Sequence, residues 1–202
     1  MDTDTYNTIE VATDEILFKE KNSKFFGYAF PLTDEEQVKE YLLELRKRHQ
    51  GANHYCYAWQ IGTTEIIYRA NDDGEPANTA GMPIYGQIQS FGITNVLVVA
   101  IRFFGGVKLG VGGLISAYRT TAQLALESAQ IVERTINIQF VISFDYKNMN
   151  KVMRIIKEKN LEIVSQEMHL SCEIVISVRQ KLSDEIFNIF SSIFEIQIEK
   201  KQ

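Results

Sequence analysis

The chain has 202 residues, 45% of them apolar, and a net charge of −5, which suits one large or two small packed domains and excludes a protein that coats nucleic acid over its whole surface. No apolar run approaches the roughly 20 residues of a membrane span, and the acidic start MDTDTYNTIEVATDEILFKE lacks the basic flank and apolar core of a signal peptide, so a cytoplasmic protein without a membrane partner is expected. Two cysteines, Cys56 and Cys172, and three histidines, His49, His54 and His169, give neither a disulfide framework nor a metal-ligand spacing.

In chain order, TIEVATDEILFKE and SKFFGYAFPL read as strands. TDEEQVKEYLLELRKRH reads as a helix, with a capping box of Thr33 and Glu36 and an apolar stripe of Val38, Tyr41, Leu42 and Leu45. NHYCYAWQI and EIIYRA form a hairpin around Gly62, NDDGEPANTAG is a loop, and MPIYGQIQS is a short helix. NVLVVAIRFF is nearly continuous in β-branched and apolar residues and predicts a buried central strand. A glycine-rich loop follows, then the helix LISAYRTTAQLALESA, with Leu114, Tyr118, Ala122, Ala125 and Ala129 spaced to pack. The remainder reads as strand RTINIQFVISF, helix YKNMNKVMRIIKEKN, strands LEIVSQEM and CEIVISVRQ, helix LSDEIFNIFSSI and strand FEIQIEK. That order, βαββαβ, is the ferredoxin-like pattern.

Composition changes near residue 130. All 12 glycines and all three prolines lie at or before Gly113. Residues 1–130 carry 11 Lys and Arg against 16 Asp and Glu, whereas residues 131–202 carry ten of each. Two domains, 1–130 and 131–202, are expected to meet there without a flexible linker.

The chemistry concentrates in RFFGGVKLGVGGLISAY, residues 102–118, where Gly105, Gly106, Gly110, Gly112 and Gly113 fall within nine positions around Lys108. A helix start offers free backbone N–H groups and the positive end of the macrodipole, and glycines let an anion approach them. Arg102, Lys108 and Arg119 are placed to ring such an anion. The stretch is neither a Walker loop nor a G-x-G-x-x-G fingerprint. A purely structural joint between strand and helix is the alternative. A second cluster, Asp72, Asp73 and Glu75, can hold Mg²⁺, serve acid–base chemistry or orient the basic side chains, or it can form a solvated Asp-Gly turn. Thr79 is placed to cap the helix that follows.

Nucleophiles are poorly supported. His54 and Cys56 share a strand face about 7 Å apart, whereas a nucleophile and its base need about 3 Å. Ser116 sits outside any G-x-S-x-G elbow. Tyr55, Tyr57 and Trp59 alternate on the other face, where packing against a helix competes with base stacking.

The motifs SKFFGYAFP, NHYCYAW, ANDDGEPANTAGMPI and TNVLVVAIRFFGGVKLGVGGLISAYRTTAQLAL closely resemble the IMPACT/YigZ family, in order and spacing, over roughly residues 19–130. The rest is similar to the C-terminal domain of the bacterial members by element order. Family members often read S-D-D-G-E-P-S-G-T-A-G and R-Y-F-G-G-T-K-L-G-A-G-G-L. Here Asn71, Ala77, Asn78, Phe103, Val107 and Val111 depart from that pattern, so no hydroxyl stands at 77, 103 or 107. The resemblance implies an α+β N-terminal domain like that of a small-subunit ribosomal protein, elongation factor G domain four and the GHMP kinases. It implies a ferredoxin-like C-terminal domain like those of elongation factor G. The family's eukaryotic members are linked to control of translation under amino-acid starvation and carry a further domain for protein partners.

Three functions follow as expectations. The first is a non-catalytic, translation-regulating protein that binds RNA or the ribosome, without DNA specificity, through Arg102, Lys108, Arg119 and the glycine amides. The second is an enzyme or sensor for a small phosphorylated ligand or nucleotide, with Mg²⁺ held by the acidic loop. The third is a protein-interaction module in which the glycines are structural.

Overall fold

The computed structural model describes residues 4–169 and 171–201. It separates into two compact units, Tyr6–Arg134 and the residues from Thr135 onward together with Asp4 and Thr5.

The first unit is built on a five-stranded antiparallel sheet. Its strands are β2 (Ile16–Glu20), β3 (Ser23–Pro31), β4 (His54–Ile61), β5 (Ile67–Asn71) and β6 (Val96–Phe103), in the order β2-β3-β6-β4-β5. β6 lies at the centre with every residue but Phe103 buried, as its unbroken apolar run requires. Period-two alternation sends its residues to two different cores. Val96, Val98 and Ala100 pack with helices α2 (Gly81–Ser90) and α3 (Gly110–Glu127). Leu97, Val99 and Ile101 pack on the opposite face with α1 (Gln37–Arg48).

The stripe expected on α1 is present. Val38 and Leu45 are buried, and Tyr41 and Leu42 are packed against the same core. Its cap differs from the expected Thr33/Glu36 box. The Gln37 side chain reaches back and accepts from the Thr33 and Asp34 amides at 2.9 and 3.2 Å. The Asp34 carboxylate accepts from the Glu36 amide at 2.8 Å. On α3, Leu114, Tyr118, Ala122 and Ala125 are buried as their spacing predicts.

The stretch read as one strand from Thr8 to Glu20 is two. β1 (Thr5–Ile9) pairs with β7 (Ile131–Thr135) in a separate two-stranded sheet, and β2 belongs to the main one. Likewise RTINIQFVISF divides at Ile136, between β7 and β8 (Asn137–Asp145). β7 lies mostly in the first unit, past the compositional break at residue 130.

The second unit runs β8, α4 (Met149–Glu158), β9 (Glu162–Met168), β10 (Ser171–Arg179), α5 (Ser183–Ser191) and β11 (Ile196–Lys200). Its four strands pair antiparallel in the order β11-β8-β10-β9. Alternate strand residues such as Ile142, Ile174 and Ile198 join Val152, Ile156 and Phe190 from the helices in one core. Among the described residues no helix is long and apolar enough to cross a membrane.

On the α1 face, His49 is 7% exposed and its Nε2 lies 2.5 Å from the Tyr28 hydroxyl and 3.3 Å from Glu15. Burial, with Arg48 nearby, outweighs the Glu15 carboxylate and holds the imidazole below its usual value near 6.5. The unfolded chain therefore takes up a proton that the native state resists, and stability falls as pH drops below about 6.5. Trp59, buried in the same core, reports on this unit. Urea midpoints followed by its fluorescence should decline from pH 6.5 towards 5, and His49→Gln should flatten that slope.

Candidate functional site

β6 ends beside the acidic loop, and this junction organises the site. Arg102 is the last buried residue of β6, with its side chain 6% exposed on the α3 side of the sheet. Its Nη1 donates to Glu75 Oε1 at 2.6 Å, and the Glu75 side chain is only 4% exposed. The Tyr118 hydroxyl, from α3, donates to the same oxygen at 2.8 Å. Burial beside Cys56 and Glu75 pushes that phenol far above its usual range, so it stays protonated as the donor. His54 Nδ1 lies 2.9 Å from the Asp73 carbonyl, which only accepts, so Nδ1 carries the proton. Its Nε2 then faces Glu75 at 3.8 Å. Loop, central strand and α3 are thus tied at one carboxylate.

The other two acidic residues point elsewhere. Asp72 accepts from the amides of Asn78, Ala80 and Gly81 at 2.9, 2.9 and 2.8 Å. It closes the N-terminus of α2, the task expected of Thr79. The Thr79 hydroxyl instead donates to the Pro76 carbonyl at 2.7 Å. Asp73 accepts from the Tyr55 amide at 2.6 Å and faces Arg46 at 3.4 Å. The three carboxylates therefore do not converge on one point. No group of three or more His, Cys, Asp or Glu placed to hold a metal occurs among the described residues. Cys56 donates to the Asp72 carbonyl at 3.0 Å, and burial pushes its thiol up, which makes it an inert core residue.

The glycines divide by task. α3 starts at Gly110, four residues before the expected helix, so Gly110, Gly112 and Gly113 form its first turn. Gly105 is a close-approach position: a Cβ there would meet the backbone carbon of Asn22 at 2.1 Å. Gly106 and Gly110 have φ of +82° and +72°, which L side chains rarely adopt. Gly112 has neither constraint. Its φ is ordinary and a Cβ there would meet nothing within 4 Å. In a helix this glycine costs about 1 kcal/mol relative to alanine, and no packing in the structure accounts for it.

A cleft of about 360 Å³ opens at this helix start. Its polar lining is Glu75, Arg102, Lys108 and Gly110, and its apolar lining is Pro76, Phe104, Leu109, Val111 and Leu114. The N-cap residue of α3, Leu109, makes no side-chain cap hydrogen bond, and no other side chain among the described residues takes the place that Asp72 takes on α2. Lys108 is exposed at the rim. Arg102 Nε is buried without a hydrogen-bond partner among the described residues. The structure thus brings Arg102, Lys108 and the first turn of α3 together. Arg119 is exposed nine residues beyond Gly110, roughly 13 Å further along the helix, and is not part of the cleft. Ser23, whose Oγ accepts from the Gly105 amide at 3.2 Å and lies 3.4 Å from Arg102 Nη2, carries no signal in sequence. Neither does His54, which spacing paired only with Cys56.

Three substitutions separate framework from site. Glu75→Ala leaves a buried guanidinium unpaired, which should cost about 3–5 kcal/mol in urea unfolding followed by Trp59 fluorescence. Gly112→Ala should raise stability by up to about 1 kcal/mol in the same assay, whereas Gly105→Ala should lower it.

Known proteins place the whole assembly in context. A family model described as the Impact N-terminal domain matches residues 21–126. The IMPACT family member YvyE of Bacillus subtilis is 33% identical over 167 residues, covering 83% of this chain and 76% of its own. A solved structure of a hypothetical protein shares the fold with a TM-score of 0.75 at 21% identity, covering 99% of this chain and 98% of that one. The two-domain translational regulator Yih1 is 28% identical, with a TM-score of 0.39, covering 59% of this chain and 46% of that one. The matched residues hold both the acidic loop and the glycine-rich turn, and the chain belongs to the IMPACT family.

Proposed function

We propose that the chain is a non-catalytic, translation-associated protein that binds RNA or the ribosome through the cleft at the start of α3. The observation that carries this reading is the uncapped first turn of α3 with Lys108 beside it. Such a turn presents free N–H groups and a positive dipole end to an anion. The protein fills the equivalent position on α2 with its own Asp72 carboxylate, and among the described residues no carboxylate does so on α3.

The charge at the site is local. Arg102 is neutralised by Glu75, so Lys108 and the amides supply the attraction. That fits a focused contact with phosphate groups better than broad coating, in keeping with the acidic balance of the chain. The setting comes from the family, whose eukaryotic members the motif resemblance links to translational control. The strand order β11-β8-β10-β9 supports a ferredoxin-like reading of the second unit. The likeness of the first unit to the ribosomal-protein and GHMP-kinase fold rests on the motif resemblance.

A small phosphorylated ligand is the second reading, favoured by the partly apolar lining of the cleft. In that case Mg²⁺ would enter with the ligand, because Asp72 and Asp73 are already engaged with backbone amides.

Ribosome co-sedimentation at low and moderate salt tests the first reading. Pelleting should be salt-sensitive, lost in Lys108→Ala and retained in Arg119→Ala. Absence of pelleting by the wild-type protein overturns it and favours the small ligand.

A further inference from the structure

The cleft at α3 has a neighbour. A second cleft, of about 290 Å³, is lined by Asn22, Lys24, Phe26, Phe103 and Phe104. Phe104 lines both clefts. Strand alternation explains the arrangement: Arg102 faces the α3 side of the sheet and Phe103 the α1 side. Phe104, one residue past the end of β6, stands between them.

Phe104 is built as a platform. The residue is 47% exposed. The Arg102 guanidinium lies over the ring, 5.4 Å from its centroid. Its amide donates to Asn53 Oδ1 at 2.8 Å, which fixes the backbone. The ring is held from behind while much of it remains open to solvent. An aromatic surface of this kind stacks on any nucleobase, since every base has a π face.

Unpaired lysines flank the platform. Lys108 lines the first cleft and Lys24 the second. Lys19 sits directly opposite Lys24 in the β2–β3 ladder, a like-charge pairing that destabilises a sheet. All three are exposed, and none has an ion pair among the described residues. A polyanion crossing this end of the sheet relieves that repulsion.

We propose that the two clefts form one track for a single nucleic-acid strand, with a base stacked on Phe104. The phosphate on one side meets the α3 amides and Lys108, and the phosphate on the other meets Lys24 and Lys19. This rests on the anion-site reading above and extends it to a strand. A lone mononucleotide would occupy one cleft and leave the second, with its lysine pair, unused.

The test is fluorescence anisotropy of the full chain with a labelled oligouridylate octamer. The controls are an abasic octamer carrying the same phosphates, the deoxy octamer, and uridine monophosphate as competitor. The base-bearing octamer should bind roughly 5- to 100-fold more tightly than the abasic one, and Phe104→Ala should remove that difference while Phe104→Trp keeps it. Lys24→Ala with Lys108→Ala should reduce the slope of log affinity against log salt by about 1.4, near 0.7 for each contact. Trp59 unfolding midpoints no lower than that of the wild type establish that the variants fold. Tight binding by either the RNA or the DNA octamer supports the track, and a preference between them names the sugar.

Equal binding of base-bearing and abasic octamers, or no effect of Phe104→Ala, overturns the track and leaves the anion site standing. Competition by uridine monophosphate at the octamer's own affinity overturns the strand in favour of a small ligand. No binding by any oligonucleotide overturns the track and the RNA contact of the cleft together, and favours the small ligand.

Discussion

The buried pair of Glu75 and Arg102 is the constraint on which the first unit's working end depends. Two charges taken out of water are tolerable only when each has close partners. Glu75 meets this through Arg102 and Tyr118 on one oxygen. Arg102 meets it through Glu75, Ser23 and the flanking rings of Phe25 and Phe104. Because the partners come from four segments, the pair fixes the acidic loop, the β3 start, the end of β6 and the body of α3 against one another. The glycine-rich turn is anchored to the same point through Gly105, whose amide reaches Ser23.

From that anchoring follows the asymmetry between the two helix starts. Both α2 and α3 begin beside the Glu75 loop, and both begin with free amides. Asp72 reaches the amides at the head of α2 and satisfies them internally. Among the described residues no acidic side chain caps α3: Glu75, which lines the same cleft, is turned into the sheet by Arg102 and Tyr118. The same carboxylate that stabilises the framework thus withholds itself from the cleft and cancels the charge of the arginine beneath it. What remains exposed is backbone polarity, a mobile lysine and a half-open aromatic ring, a mixture suited to phosphate with something planar attached.

Much of this was legible in the chain itself. The apolar run of β6 dictated a central strand, because only burial on both faces tolerates Val96 to Ile101 without a polar break. The stripes on α1 and α3 identified their packed faces. The order of elements after Thr135 followed from alternating periods of two and 3.6. The motifs identified the family. Less legible were the strand breaks between Ile9 and Ile16 and at Ile136: Val11 and Thr13 in the first stretch and Ile136 in the second are β-branched, and pairing with different sheets divides the strands.

The sequence by itself determined the elements, the core faces and the stretch where chemistry gathers, because periodicity and backbone preference are local properties. Tertiary structure alone decided what each polar residue does. Asp72, Asp73 and Glu75 are equivalent as text, yet one caps a helix, one holds a strand amide and one neutralises an arginine, because their partners lie up to 43 positions away in the chain. Arg119 resembled a site residue until helix rise carried it from the cleft. Gly105 and Gly112 look alike in sequence, and only the backbone of Asn22, pressed against one and absent from the other, shows that the first is needed for packing and the second is not.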